Sequence, residues 1–247
     1  MDWQADAVVL GVRSHGESSA IVSVMTRDHG RYSGLVRGAR SRRLRSVLQP
    51  GNLVAAHWRA RLSEHLGTLT VEPSKSRAAL VIADPLRLAA LTSVISLVET
   101  AVPERDPHSA IHDGLSAVIE VLGAGEAANP LAWLPGIIAF ERGLLADMGF
   151  PLALDECAVT GLSTGLAYVS PKTGRAVSEE GAGTYKDRLL PLPGFLTPVE
   201  QVPTANQILQ ALDLTGHFLA RIIYAPHGVD LPEARARFVD RVKRQAT

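Results

Sequence analysis

Apolar and polar positions along this chain follow two rhythms, and the change falls near residue 78. Before it, short runs rich in β-branched residues are cut by turn residues, the pattern of β-strands. Residues 5–13 hold the apolar run Ala7-Val8-Val9-Leu10-Gly11-Val12, and His15-Gly16-Glu17-Ser18 makes a turn. Residues 20–26 form a second strand, Asp28-His29-Gly30 a second turn, and residues 31–37 a third strand. Residues 53–61 and 66–72 supply the fourth and fifth. Five short strands in so small a unit predict a closed or partly closed β-barrel. The oligonucleotide-binding (OB) fold is the leading five-stranded choice, and an SH3-like barrel fits the strand count almost as well.

Beyond residue 78 the period becomes helical. Asp84-Pro85 has the form of a helix N-cap followed by proline at the first helical position. The helix it opens carries Leu86, Leu88, Leu91, Val94, Ile95, Leu97 and Val98, a wide apolar coverage that predicts burial. Asp106-Pro107 repeats the signal for a helix ending at Gly123-Ala124-Gly125. Asn129-Pro130 repeats it for one running through Trp133, Phe140 and Met148 to a stop at Gly149. Thr204 opens a helix continuing to Ile223, and Pro232 starts a last amphipathic one with Phe238 and Val242. Between them, residues 150–203 are rich in Gly, Pro, Ser and Thr, with one strand-like piece at 165–170 and a turn at 170–175. The expectation is an α+β chain: a barrel over residues 1–79, then a helical domain over 80–247 with an irregular insert at 150–203.

Charge sharpens this division. The whole chain is formally neutral, with 25 Lys+Arg and 25 Asp+Glu. Residues 1–77 carry twelve basic against six acidic side chains, a balance of +6, and the remainder carries −6. Such asymmetry is the footprint of a single module that meets a polyanion. One cysteine, Cys157, excludes an intrachain disulfide and fits a reducing cytosol. The N-terminus carries Asp2 and Asp6 where a signal peptide needs positive charge, and no apolar run nears the ~20 residues of a membrane span. A cytoplasmic protein is expected.

The densest feature is Arg37-Gly38-Ala39-Arg40-Ser41-Arg42-Arg43-Leu44-Arg45, a basic loop at the end of the third strand. Guanidinium groups this close repel one another unless anions lie between them, which points to phosphate contact. The alternative is a solvated loop whose arginines face water or scattered carboxylates. Arg13, Arg27, Arg31, Arg59, Arg61, Lys75 and Arg77 lie at or near strand ends of the same unit and either join this loop on one surface or surround the barrel evenly. Aromatic residues here are only Trp3, Tyr32 and Trp58, so binding would lean on phosphates and select weakly among sequences. All three rings fit a barrel core equally well, Trp58 above all.

Catalytic signals are weak. Gly161-Leu162-Ser163-Thr164-Gly165 matches the nucleophile-elbow pattern, with Asp187 and His217 as nominal partners, but an elbow needs a strand before it and a helix after it. His108 and His112 have metal-ligand spacing without the glutamate of a zinc protease, and read as two exposed histidines. No Gly-Lys dipeptide exists for a phosphate-binding loop. A non-enzymatic binding protein is expected.

Three stretches carry a family resemblance. Gly16-Glu17-Ser18-Ser19-Ala20-Ile21-Val22-Ser23-Val24-Met25-Thr26-Arg27-Asp28-His29-Gly30-Arg31, with Gly38-Ala39-Arg40 and Leu48-Gln49-Pro50, resembles the N-terminal module of the RecO family of bacterial recombination mediators. Phe140-Glu141-Arg142-Gly143-Leu144-Leu145-Ala146-Asp147-Met148-Gly149-Phe150 resembles that family's central helix. The third runs from Leu154-Asp155-Glu156-Cys157 through Val169-Ser170-Pro171-Lys172-Thr173-Gly174. The resemblance implies an OB-fold followed by a helical domain. It implies binding of single- and double-stranded DNA, annealing of complementary strands, and work with RecR to place RecA on DNA coated by single-strand binding protein (SSB). It places the acidic SSB tail on the helical domain, where Ile138 and Ala139 replace the family's basic residues and Arg142 is the candidate contact. Many relatives hold zinc in the insert with four cysteines. Here the four positions are Cys157, Thr160, Ser178 and Gly181, which predicts a metal-free, zinc-finger-like insert. RNA binding by the barrel, or hydrolysis at Ser163, are the rival functions.

Overall fold

A computed structural model describes residues 1–62, 64–124, 131–197 and 202–246. The chain forms two compact units, Met1–Glu126 and Ala127–Thr247.

The first unit begins with β1 (Asp2–His15), β2 (Ser19–Thr26), β3 (Gly30–Val36), β4 (Leu53–Arg59) and β5 (Thr68–Lys75), closed in the order β1-β2-β3-β5-β4. β1 is long enough to serve two neighbours: Asp2 to Val8 pair with β4, and Ala7 to His15 with β2, across an irregularity between Val9 and Gly11. All ladders are antiparallel except a single parallel bridge, Leu35 to Thr68, which closes the barrel. Alternation sends Val9, Val22, Val24, Val36, Val54, Trp58 and Leu69 inward, each at most 2% exposed. This is the OB arrangement expected from the sequence. An SH3-like barrel is thereby set aside.

Val8, Leu10 and Met25 point outward by the same alternation, yet they are 0%, 1% and 0% exposed. They are covered by α3 (Pro85–Ala101) and α4 (Ser109–Gly123), which pack on β1 and β2. Burying both faces of these strands explains their near-continuous apolar sequence. The Asp84 carboxylate caps α3, accepting from Leu86 N at 2.8 Å and Arg87 N at 3.1 Å. The second start signal is corrected: α4 begins at Ser109 with His108 as N-cap and no side-chain cap bond, and Asp106 lies before the cap, 3.6 Å from His108.

The second unit holds α5 (Leu134–Asp147), α7 (Ala205–Phe218) and α8 (Glu233–Ala246). The Asn129-Pro130 signal lies outside the described residues. Gly149, at φ +86°, ends α5: its N–H reaches Ala146 O and that of Phe150 reaches Leu145 O, the two bonds of a Schellman stop. Thr204 and Gln207 form a full capping box on α7. The helix then widens into a π-turn at Leu219–Tyr224 and a 3₁₀ turn at Ala225–His227, ending on Gly228 at φ +67°.

The insert is more regular than its composition suggests. β6 (Leu166–Val169) pairs with both β7 (Ala176–Ser178) and β8 (Leu190–Pro191) in the order β7-β6-β8, with α6 at Glu179–Ala182. The 170–175 turn is the β6–β7 hairpin. β6 is the strand-like piece expected at 165–170, whereas β7 and β8, of three and two residues, are too short to show a period. No described helix is long and apolar enough to cross a membrane.

Candidate nucleic-acid interface

The arginine-rich segment is not wholly a loop. Ser41 Oγ accepts from Leu44 N at 3.4 Å and caps α1 (Arg42–Val47). A serine cap followed by good helix formers favours this local structure, and Val47 and Leu48 anchor it in the barrel core. Asn52, 3% exposed, fastens its C-terminal end: Nδ2 donates to Ser46 O at 2.8 Å and Val47 O at 3.2 Å, while Oδ1 accepts from Ala78 N at 3.0 Å. The preceding Arg37–Arg40 stretch lies against the β1–β2 turn, with Arg40 N donating to Ser18 O at 3.4 Å.

Strand direction divides the twelve candidate cations between two ends of the barrel. At one end β1 and β3 finish, α1 sits, β4 begins and β5 finishes. Arg13, Arg37, Arg40, Arg42, Arg43, Arg45 and Lys75 gather here, all exposed and, among the described residues, without an ion pair or side-chain hydrogen bond. Arg43 and Lys75 line one groove of about 300 Å³ beside Ser46, Asn52 and Ser76. Arg77, nearby, is taken by Glu120.

The opposite end is different. Arg27 makes a two-pronged contact with Asp113 on α4, at 3.0 and 3.0 Å, and the carboxylate holds the guanidinium above its ordinary pKa. Arg31, its side chain 18% exposed, donates to Val102 O at 2.7 Å and pairs with Glu104 at 3.2 Å. Arg59 lies 3.5 Å from Asp2. Arg61 is exposed in the β4–β5 connection without such a partner among the described residues. The outer face of β1, β4 and β5 forms a groove of about 500 Å³ flanked by Asp6 and Glu72, a surface that repels phosphate.

The three barrel rings and His29 stack on one another. Trp3 lies 4.8 Å from His29 and 6.2 Å from Trp58, and Tyr32 meets both tryptophans edge-on. Trp58 is fully buried and donates to Ser33 O and Leu66 O, so it belongs to the core. Arg105, which the sequence reading did not single out, holds the same region. Its guanidinium lies 5.6 Å over Tyr32 and donates to Glu64 O and His65 O. It is the one non-glycine residue at positive φ among those described, at +65°. No local signal marks it, because each of its partners is distant in sequence.

The remaining candidates resolve as follows. His108 and His112 are not exposed, with side chains 14% and 16% accessible; His108 lies 3.6 Å from Asp106 and His112 3.1 Å from Asp113, because α4 packs that face against the barrel. Gly161 to Gly165 form an exposed bend that leads into strand β6, so no strand–turn–helix elbow presents Ser163. His217 Nε2 lies 3.1 Å from Pro171 O. Arg142 is half-buried on α5, where burial lowers its pKa and Asp155 only partly opposes this.

The family's zinc positions converge without zinc ligands. Cys157 Sγ accepts from Ser178 N at 3.2 Å, Ser178 Oγ at 3.4 Å, and Val159 N and Thr160 N at 3.4 Å each. A Cβ on Gly181 would lie 3.0 Å from the sulfur. One thiol, two hydroxyls and a glycine cannot complete a tetrahedral N/S shell, so zinc does not fit. Burial pushes the thiol up, but the donors from Ser178 and Thr160 outweigh it and bring it down to about 6. These sulfur-centred hydrogen bonds, together with a small apolar cluster of Cys157, Val177 and Ala182, hold the insert.

The first unit is thus a closed five-stranded barrel in the OB arrangement, with cations at one end that are unpaired among the described residues, in one chain with a helical unit. The family profile described as recombination protein O N terminal matches residues 1–77, and that described as recombination protein O C terminal matches residues 82–229. The chain is 47% identical to the DNA repair protein RecO of Rhodospirillum centenum, over 100% of this chain and 97% of that one. It is 45% identical to that of Rhodospirillum rubrum, over 99% and 97%, and 46% to that of Roseobacter denitrificans, over 99% and 100%. The chain belongs to the RecO family.

Proposed function

We propose that this protein is a cytoplasmic DNA repair and recombination mediator without catalytic activity of its own. It binds single- and double-stranded DNA and anneals complementary strands. With RecR it helps place RecA on SSB-coated strands. The observation that carries the DNA-binding part is the group of seven unpartnered cations at the α1 end of the barrel. Five come from residues 37–45, which a capped helix and the Asn52 clamp hold in place. Arginines set on such a scaffold neutralise phosphates of two strands and reduce the repulsion that opposes their meeting; base pairing then supplies specificity. Membership of the RecO family supports the roles with RecR, RecA and SSB, with the SSB tail on the helical unit near Arg142.

Annealing of two labelled complementary strands, with and without SSB, tests this. Acceleration by the wild-type protein, and its loss when Arg40, Arg42, Arg43 and Arg45 are replaced by Ala, are the expected results. No acceleration, or a preference for RNA over DNA in competition, overturns the proposal.

A further inference from the structure

In five-stranded OB barrels, oligonucleotides lie on the face of strands 2 and 3 between the β1–β2 and β4–β5 loops. In this chain that face is occupied by the chain itself. Ser23 and Met25 point outward from β2 yet are 7% and 0% exposed. On β3, Arg31 and Ser33 both donate to the Glu104 carboxylate. Arg105 N donates to Arg31 O at 2.8 Å, so that residues 104 and 105 lie beside β3 as a short parallel neighbour. They fill the gap left where β3 and β5 share only one bridge. Gly30, at φ +72°, is where the backbone of Asp106 passes, and any Cβ there would overlap the Asp106 carbonyl. Arg105 then spans to the β4–β5 loop through the carbonyls of Glu64 and His65. The rings that could receive bases are packed against one another, Trp3 stacked with Trp58 and Tyr32 edge-on to both, with Arg105 over Tyr32.

The free cations meanwhile stand at the other end, around α1. We propose that nucleic acid docks on this chain through its phosphates alone, along the α1 end of the barrel, and that residues 102–106 seal the sheet face where such barrels hold bases. This rests on the nucleic-acid reading above and specifies its ligand: the phosphodiester backbone of one strand or two, with bases facing away from the protein. A strand held in this way keeps its pairing edges free, which is what annealing requires. It also follows that affinity is indifferent to base identity and to the presence of bases at all.

The test is a titration of the full-length protein against three labelled ligands at equal salt: oligothymidylate, an abasic strand of equal length and charge, and a duplex. The abasic strand is expected to bind within about twofold of oligothymidylate, because no base stacks on the protein in this mode. In parallel, Arg42→Ala/Arg43→Ala/Arg45→Ala is expected to weaken binding of all three ligands. Arg61→Ala/Leu62→Ala, on the exposed β4–β5 loop, is expected to leave binding within about twofold, since that loop lies at the end of the barrel opposite α1. Tight binding of oligothymidylate with roughly tenfold or greater loss on the abasic strand overturns the phosphate-only inference while leaving the DNA-binding function intact. A larger loss from the β4–β5 loop variant than from the α1 variant overturns it as well. Failure of all three ligands to bind overturns the function itself.

Discussion

Arg235 and Arg43 carry the same guanidinium into opposite surroundings. In the helical unit, Arg235 is 7% exposed at its side chain and grips Glu141, itself 0% exposed, at 2.8 and 2.9 Å. It also donates to Leu212 O at 2.6 Å and to Thr215, whose hydroxyl donates to Glu141. Burial works against its charge, but Glu141 outweighs this and holds Arg235 above its ordinary pKa. At the α1 end of the barrel, Arg43 is exposed beside a groove it shares with Lys75, and no carboxylate among the described residues pairs with it. Composition counts the two alike. A buried guanidinium held by a carboxylate, a carbonyl and a hydroxyl is committed to the fold, because releasing it strands a charge in a low dielectric. An exposed one keeps its donors for a ligand, with water as the only competitor.

That contrast can be broken at several points. Arg235→Met leaves Glu141 buried and unpaired, and should cost about 3–5 kcal/mol in denaturant unfolding while leaving DNA affinity of the folded protein unchanged. Replacing Arg40, Arg42, Arg43 and Arg45 by Ala should do the reverse. Thermal stability should stay as in the wild type, affinity at low salt should fall roughly a hundredfold, and the slope of log K against log salt should flatten by about three to four. Equal losses of stability and affinity in both variants would erase the distinction. Arg31 sharpens it: the residue was a candidate phosphate contact, but its donors already serve Val102 and Glu104. Arg31→Ala should therefore cost about 1–2 kcal/mol of stability and leave binding alone.

The most local effect concerns the insert. The Cys157 thiol titrates near 6 in the folded state, below its ordinary 9.0. A lowered folded-state value means that the thiolate stabilises the fold fully above the unfolded pKa, and that this is lost as pH falls through about 6. The stability difference between wild type and Cys157→Ala should accordingly widen from pH 6 to pH 9, with faster amide exchange at Thr160 and Ser178 in the variant. A difference that is flat with pH would show a neutral thiol.

Much of this was legible in advance. Each of the five barrel strands, the Asp84 cap, the Thr204 start and the Gly149 stop is written in a few adjacent residues, because strand alternation and helix capping are short-range effects. The arginine segment was legible as charge, but its helix was hidden, since Ser41 caps α1 only when Val47 and Leu48 find the barrel core. Asn52 follows Pro50-Gly51 with no local pattern of its own; its three side-chain bonds reach carbonyls of α1 and the amide of Ala78, beyond β4 and β5, which no periodicity encodes. The insert showed β6 but hid its partners β7 and β8 for the same reason.

By itself, then, the amino-acid order determined a basic five-stranded barrel followed by acidic helices, since side-chain alternation and net charge are properties of neighbours along the chain. Which of twelve cations remain free was decided only by folding. Asp113, Glu104 and Glu120 lie 86, 73 and 43 positions from the arginines they neutralise. An ion pair depends on separation in space, and only the closed barrel with its covering helices brings those carboxylates within reach.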